Sequence, residues 1–313
     1  MERIVLAAPR GFCAGVSYAI GIVNRAIEAF GTPLYVRHAI VHNEWVVRSF
    51  EDRGVIFVEA LDDVPAGNPV VFSAHGVSPE VRAEARERGL KIIDATCPLV
   101  DKVHREAQEW ATRDHTILYI GHHGHAEAVG TMGEAPQRMM LIGGVEDAET
   151  VQPPDPDRLV VLTQTTLSVD EVAGLVDILK RRFPALSTPR KEDICYATTN
   201  RQEAVKALAE QCDMVQVVGS TSSSNTNRLR EVAESCGVDS YLVADADEVQ
   251  DDWLRNYRVI GVTSGASTPE VAVDQVVARM MSHATVPIET LQTVEERIHF
   301  RPPRELVEAA AQS

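Results

Sequence analysis

Six short apolar runs in this chain each end on a polar, glycine-rich tip, and residues at helical spacing follow. The runs are IVLAA at 4–8, VVFSA at 70–74, TILYI at 116–120, LVVLT at 159–163, MVQVVG at 214–219 and YRVIGVT at 257–263. Continuous runs without polar alternation belong to strands covered on both faces, and alternation with helices makes the sheets parallel. The expected fold class is α/β.

Helix signals agree with that expectation. After Cys13, the positions Val16, Ala19, Ile20, Val23, Ala26 and Ile27 keep helical spacing and Gly31 supplies a stop. Ser168 and Glu171 form an S-x-x-E capping box ahead of Val172, Leu175, Val176 and Leu179. Pro98 after Cys97 and Pro269 after Thr268 each stand where a first helical residue belongs.

A length of 313 residues suggests about two domains, and three small ones also fit. Lys plus Arg number 30 against 46 Asp plus Glu, a formal charge of −16, which argues against binding nucleic acid or an anionic membrane through bulk charge. No run approaches the ~18 residues of a membrane helix, and MERIVLAAPRGFC lacks a basic region followed by a long apolar one. The expected location is the cytoplasm.

Five cysteines, an odd number in a large chain, speak against a disulfide framework. Cys13, Cys97 and Cys195 each stand at a strand-to-helix junction, 84 and 98 residues apart, and that near-period suggests three α/β units. The units are drawn at 14–97, at 98–192, and at 1–13 together with 193–313. PPDP at 153–156 and FPALSTPRKED at 183–193 read as connections, and the tail from His283 to Ser313 leaves room for a return to one unit.

In parallel α/β folds, ligands bind beyond the carboxyl ends of the strands. The tips there read PRGFCAG (9–15), SAHGVS (73–78), DATCP (94–98), GHHGHAE (121–127), TQTTLS (163–168), DICYATTN (193–200), GSTSSSNTN (219–227) and TSGAST (263–268). A thiolate at a helix amino terminus is stabilised by the dipole and by unpaired N–H groups, which makes it a better ligand or nucleophile. Any one of Cys13, Cys97 and Cys195 reads equally as a small buried apolar residue; three in polar tips favour ligation.

Cys236 continues the stripe Leu229, Val232, Ala233, and Cys212 closes the helix holding Val205 and Leu208, so both are expected in the core. The C-x-x-C pairs of a structural zinc site are missing. A 4Fe-4S cluster on three cysteines would leave one iron without a protein ligand, a Lewis-acidic site for substrate.

GHHGHAE places His122, His123, His125 and Glu127 within six residues, without the helical H-E-x-x-H zinc pattern. A solvated loop and a proton-relaying Glu are both open readings. SSSNTN starts a helix with hydroxyls and an amide, either as an ordinary cap or as a phosphate site, and Ser267 ahead of Pro269 poses the same choice. Neither a P-loop lysine motif nor G-x-G-x-x-G appears, so nucleotide binding has no positive support.

PRGFCAGV, SAHGVS, DATCPLV, GHHGHAEAVGTMGE, TQTTLSVDE, DICYATTNRQEAV, GSTSSSNTNRL and TSGASTPE together resemble the 4-hydroxy-3-methylbut-2-enyl diphosphate reductases, which close the methylerythritol phosphate route to isoprenoids. The motifs keep the family's order from about residue 4 to residue 272. The resemblance implies a trefoil of three similar α/β units around a central 4Fe-4S cluster, with Cys13, Cys97 and Cys195 as its ligands. It implies substrate-binding roles for His42, His75, His125, Ser223, Ser224, Asn225 and Ser267. Glu127 matches the family's proton-relay carboxylate and Thr165 the hydroxyl beside the substrate alcohol, with Thr166 a weaker candidate.

The implied reaction removes a hydroxyl with two electrons and two protons, giving isopentenyl and dimethylallyl diphosphate. Ferredoxin or flavodoxin is the implied donor. Both are acidic, so a chain at −16 needs a local basic patch, and Lys180, Arg181, Arg182, Arg190 and Lys191 are the candidate, a solvated helix end being the plainer reading. One departure is visible: after RGFCAGV the family usually continues with an acidic and a basic residue, and this chain has Ser17 and Tyr18, from which altered packing or partner contacts are expected. A zinc hydrolase built on GHHGHAE and an iron-sulfur sensor of a diphosphate metabolite are the alternatives.

Overall fold

The structure is a computed structural model that describes residues 1–189, 192–303 and 306. Its strands are β1 (Arg3–Ala8), β2 (Leu34–Arg37), β3 (Val55–Val58), β4 (Pro69–Phe72), β5 (Lys91–Asp94), β6 (Thr116–Ile120), β7 (Met139–Ile142), β8 (Leu159–Thr163), β9 (Met214–Val218), β10 (Asp239–Val243), β11 (Val259–Ser264) and β12 (Ile288–Gln292). The chain divides into two compact units.

One unit comprises Met1–Val16, His42–Val46 and Tyr196–His299. It is built on a five-stranded sheet in the order β10-β9-β11-β1-β12, parallel at every pairing. The other comprises Ser17–Val41, Val47–Cys195 and Phe300–Ser313. It holds a four-stranded sheet, β3-β2-β4-β5, and a three-stranded sheet, β7-β6-β8, both parallel throughout. The α/β class with parallel sheets is therefore as the apolar runs require: the six runs are β1, β4, β6, β8, β9 and β11.

Burial explains why those six were legible. Every residue of β6, β8 and β9 is buried, because helices cover both faces. β8 ends its sheet, yet its outer edge is closed by the connection after it: Val161 N–H donates to Ser187 O and Ser187 N–H to Leu159 O. The tail returns to the first unit, where β12 pairs with β1 from Ile4↔Ile288 to Ala8↔Gln292. Among the described residues no helix is long and apolar enough to cross a membrane.

Local signals place most helix starts. Ser168 Oγ accepts from Glu171 N–H at 3.3 Å, and Cys97 caps Pro98–Thr112 with Pro98 as its first residue. Pro269 instead caps Glu270–His283 in an extended conformation, because Thr268 is held in a turn by its N–H bond to Gly265 O and its hydroxyl bond to Val218 O. Cys212 is buried, which pushes its thiol up to about 11. Cys236 is a correction: it is exposed, because Ser224–Ser235 ends before it and its side chain leaves the apolar stripe. The half-buried Tyr18 packs edge-to-face on Phe300 at 6.1 Å.

Candidate functional site

The candidate residues fall into one set in each unit. In the first unit, β1 ends on the PRGFC tip, whose backbone is pinned from several sides. Gly11 N–H donates to Ser264 Oγ at 2.8 Å, Cys13 N–H donates to Ala266 O at 3.1 Å, and Val16 N–H donates to Cys13 Sγ at 3.4 Å. Arg201, wholly buried, bonds Gly11 O at 2.8 Å and Glu296 at 3.0 Å. Cys13 is thus a half-buried sulfur at the start of Ala14–Phe30 that already accepts a backbone donor.

The hydroxyl and amide tips meet in the same unit. Ser223 caps Ser224–Ser235, its Oγ accepting from Thr226 N–H at 3.3 Å, so the capping reading holds for that oxygen. Asn225 Oδ1 accepts from Ala266 N–H at 2.9 Å. Asn225 Nδ2 is buried with no hydrogen-bond partner among the described residues, a cost that an acceptor on a ligand would remove. Ser267 Oγ donates to His42 O at 3.0 Å, bringing His42 to this group. The approach is close: a Cβ at Gly265 would lie 2.0 Å from Thr226 Oγ1, so only glycine fits.

In the second unit, backbone and side-chain bonds stitch five tips together. Cys97 N–H donates to Ala74 O at 3.0 Å, and the His75 and His125 rings meet edge-to-face at 5.9 Å. His122 N–H donates to Gln164 Oε1 at 3.0 Å. His125 caps Ala126–Met132, its Nδ1 accepting from Glu127 N–H at 3.2 Å, which in the neutral ring leaves Nε2 to donate.

Glu127, 2% exposed, accepts from Thr165 N–H at 2.7 Å and from the Thr165 hydroxyl at 3.0 Å. Burial pushes its carboxyl up to about 7, against the pull of those donors and of His104. Thr165 O in turn accepts from Cys195 N–H at 3.1 Å, so acid, hydroxyl and cysteine form one chain of contacts. The Thr166 hydroxyl instead accepts from Gln164 Nε2 at 2.9 Å.

The sequence had left Asp193 and Lys102 without a role. Asp193 Oδ2 accepts from Thr163 N–H at 3.0 Å and Oδ1 from Lys102 Nζ at 2.7 Å, joining the Cys195 tip to the helix that Cys97 starts. Asp193 lies within the DICYATTN tip, but nothing in the sequence pairs it with a lysine 91 residues away. Glu44, likewise unassigned, accepts from Ser220 Oγ at 2.9 Å and steadies the serine tip.

Of the basic candidates, Lys180 and Arg181 are exposed in the last turn of Val169–Arg182. Arg182 is committed to Ala148 O and Val151 O, both at 2.6 Å, and Arg190 and Lys191 lie outside the described residues. Among the described residues no group of three or more His, Cys, Asp or Glu is arranged to hold a single metal ion.

The family model described as LytB protein matches residues 4–281. The chain belongs to the LytB family. Every candidate site residue from Cys13 to Ser267 lies inside the LytB match, whereas β12 lies beyond it. A 4-hydroxy-3-methylbut-2-enyl diphosphate reductase of Bordetella pertussis is 53% identical over 311 residues, 99% of this chain and 96% of that protein. The protein of the same name in Neisseria meningitidis serogroup A is 52% identical, covering 97% of this chain and 95% of its own. The solved structure of the E-1-hydroxy-2-methyl-but-2-enyl-4-diphosphate reductase from Plasmodium falciparum matches with a TM-score of 0.96 at 37% identity, over 99% of this chain and 98% of that one.

Proposed function

We propose that this LytB-family chain reduces 4-hydroxy-3-methylbut-2-enyl diphosphate to isopentenyl and dimethylallyl diphosphate. The observation that carries the reading is Glu127, a buried carboxyl that stays protonated to about pH 7 and is bound twice by Thr165, whose carbonyl holds Cys195. Near-full-length identity to proteins named for that reaction supports it.

The donor set suits an iron-sulfur cluster. Cys13, Cys97 and Cys195 are half-buried sulfurs outside any disulfide, each at a helix amino terminus, and Cys13 Sγ accepts a backbone N–H. These three residues would hold it. When bound, a 4Fe-4S cluster supplies electrons singly and offers one Lewis-acidic iron without a protein ligand.

The protein's own residues supply binding and protons. The substrate is an allylic alcohol carrying a diphosphate; the C–O bond breaks, two electrons and one proton form a new C–H bond on the allylic unit, whose double bond is kept or shifted, and a second proton leaves with the hydroxyl as water. Glu127 gives the proton to the departing oxygen. Thr165 orients the alcohol and holds the carboxyl. His42, His75 and His125 with Ser223, Ser224, Asn225 and Ser267 bind the diphosphate, so histidine and neutral donors take the place of lysines in an acidic chain. Electrons come from a ferredoxin or flavodoxin, with Lys180 and Arg181 as the exposed basic contact.

The test is an anaerobic assay with reduced viologen and the diphosphate substrate. Formation of both products by the wild type, and a loss of roughly 10²–10⁴-fold in kcat for Glu127→Gln, is expected. Substrate recovered unchanged from iron-loaded protein would overturn the reading.

A further inference from the structure

Beneath the helix that carries Glu127, a second buried acid–base pair has no part in the steps above. His104 on Pro98–Thr112 and Glu134, just beyond Ala126–Met132, meet at 2.7 Å between Nδ1 and Oε1, with side chains 5% and 4% exposed. Glu134 Oε2 also accepts from the exposed Gln108 at 2.5 Å.

Geometry directs that use towards Glu127. Gly130 lies one turn beyond Glu127, on the same face of Ala126–Met132, and a Cβ there would lie 3.3 Å from His104 Cε1. His104 Nε2 is buried with no hydrogen-bond partner among the described residues. It faces Gly76, at φ +77°, where a Cβ would come within 3.0 Å of it, so the imidazole is locked between the SAHGVS tip and the Glu127 helix.

We propose that His104, held by Glu134, is a positioning residue for the reaction: packed against the Glu127 helix, it sets the pH at which buried Glu127 can donate a proton. This rests on the reading of Glu127 as the proton donor. The groups around Glu127 are Thr165 after β8, Tyr119 on β6, Asp193 ahead of Cys195, His104 below, and His125 on its own turn. Burial and Asp193 disfavour the carboxylate; Thr165 and His104 favour it. Around His104 stand Glu134, in contact with its Nδ1, and Thr96 across Gly76.

His104 acts on Glu127 in the direction that favours the ionised carboxyl, so removing it keeps Glu127 protonated to higher pH. In His104→Gln the alkaline limb of the kcat profile is expected to move up by about one pH unit, the size of a charge acting across several ångströms of partly dry protein. The carboxyl infrared band that Glu127→Gln abolishes is expected to titrate higher by the same amount, in protein with or without its cluster. Glu134→Gln, close in shape, is expected to move both in the same direction, and to add nothing in the His104→Gln background.

A lower melting temperature with limb and band unmoved overturns the proposal, as does a downward shift. If His104→Gln does not fold, Glu134→Gln alone decides. A band that shifts while kcat shows no limb dependent on Glu127 leaves the proposed coupling standing and refutes Glu127 as the donor.

Discussion

Thr165 binds Glu127 twice, through its backbone N–H at 2.7 Å and its hydroxyl at 3.0 Å, one bond to each carboxylate oxygen. Two donors favour the ionised form, yet burial prevails and holds the carboxyl at about 7. An acid poised there is half-loaded near neutral pH, as a proton donor at work in a cell needs to be.

That balance has a stability signature. The folded chain keeps the Glu127 proton up to about 7, whereas the unfolded chain releases it near 4.5. The contribution is complete below pH 4.5 and disappears as pH rises through 7, a loss on the order of 3 kcal/mol. Urea unfolding of the cluster-free protein between pH 5 and 8 is expected to show a flatter dependence for Glu127→Gln; parallel curves would contradict the assignment.

Removing the Thr165 hydroxyl separates its two bonds. Thr165→Val keeps the N–H donor and loses the other, so Glu127 is expected to titrate higher and kcat to fall by about 10–100-fold, the value of a hydrogen bond to a charged group. Thr165→Ser is expected to restore both. A valine variant with wild-type kcat and pH profile would remove Thr165 from the site.

Asn225 offers a test of the diphosphate end. Asn225→Asp keeps an oxygen for Ala266 N–H and replaces the buried amide donor with negative charge. KM for the diphosphate substrate is expected to rise by roughly tenfold or more, since a lost donor and a like charge both act against the ligand, and the melting temperature is expected to fall because the new carboxylate is buried. An unchanged KM places the diphosphate elsewhere.

The strap behind Cys13 is a stability prediction. Glu296→Ala leaves the Arg201 guanidinium buried without its carboxylate and is expected to cost about 3–5 kcal/mol in urea unfolding. A cost below about 1 kcal/mol would mean that Arg201 finds another partner.

The strands legible in the sequence were those sealed from water. β4, β6 and β9 are interior to their sheets and nearly all buried, so they read as mainly apolar runs, with only Thr116 and Gln216 polar in β6 and β9. β3, β5, β7, β10 and β12 are sheet edges with exposed or half-exposed positions, and β2, though interior, ends its apolar run on the half-buried Arg37. The tips were legible because glycine, hydroxyls and cysteine collect where strands hand over to helices. The supports were not: His104 sits mid-helix 30 residues from Glu134, Arg201 is 95 from Glu296, and no local pattern marks a pair made only by folding.

Iron content tests the central claim most directly. Anaerobically reconstituted wild type is expected to be brown and to carry iron and inorganic sulfide in equal amounts. Alanine at Cys13, Cys97 or Cys195 is expected to lose most of both, while Cys212→Ala and Cys236→Ala retain them. Zinc in place of iron in the wild type, or full iron in all three ligand variants, would contradict the account.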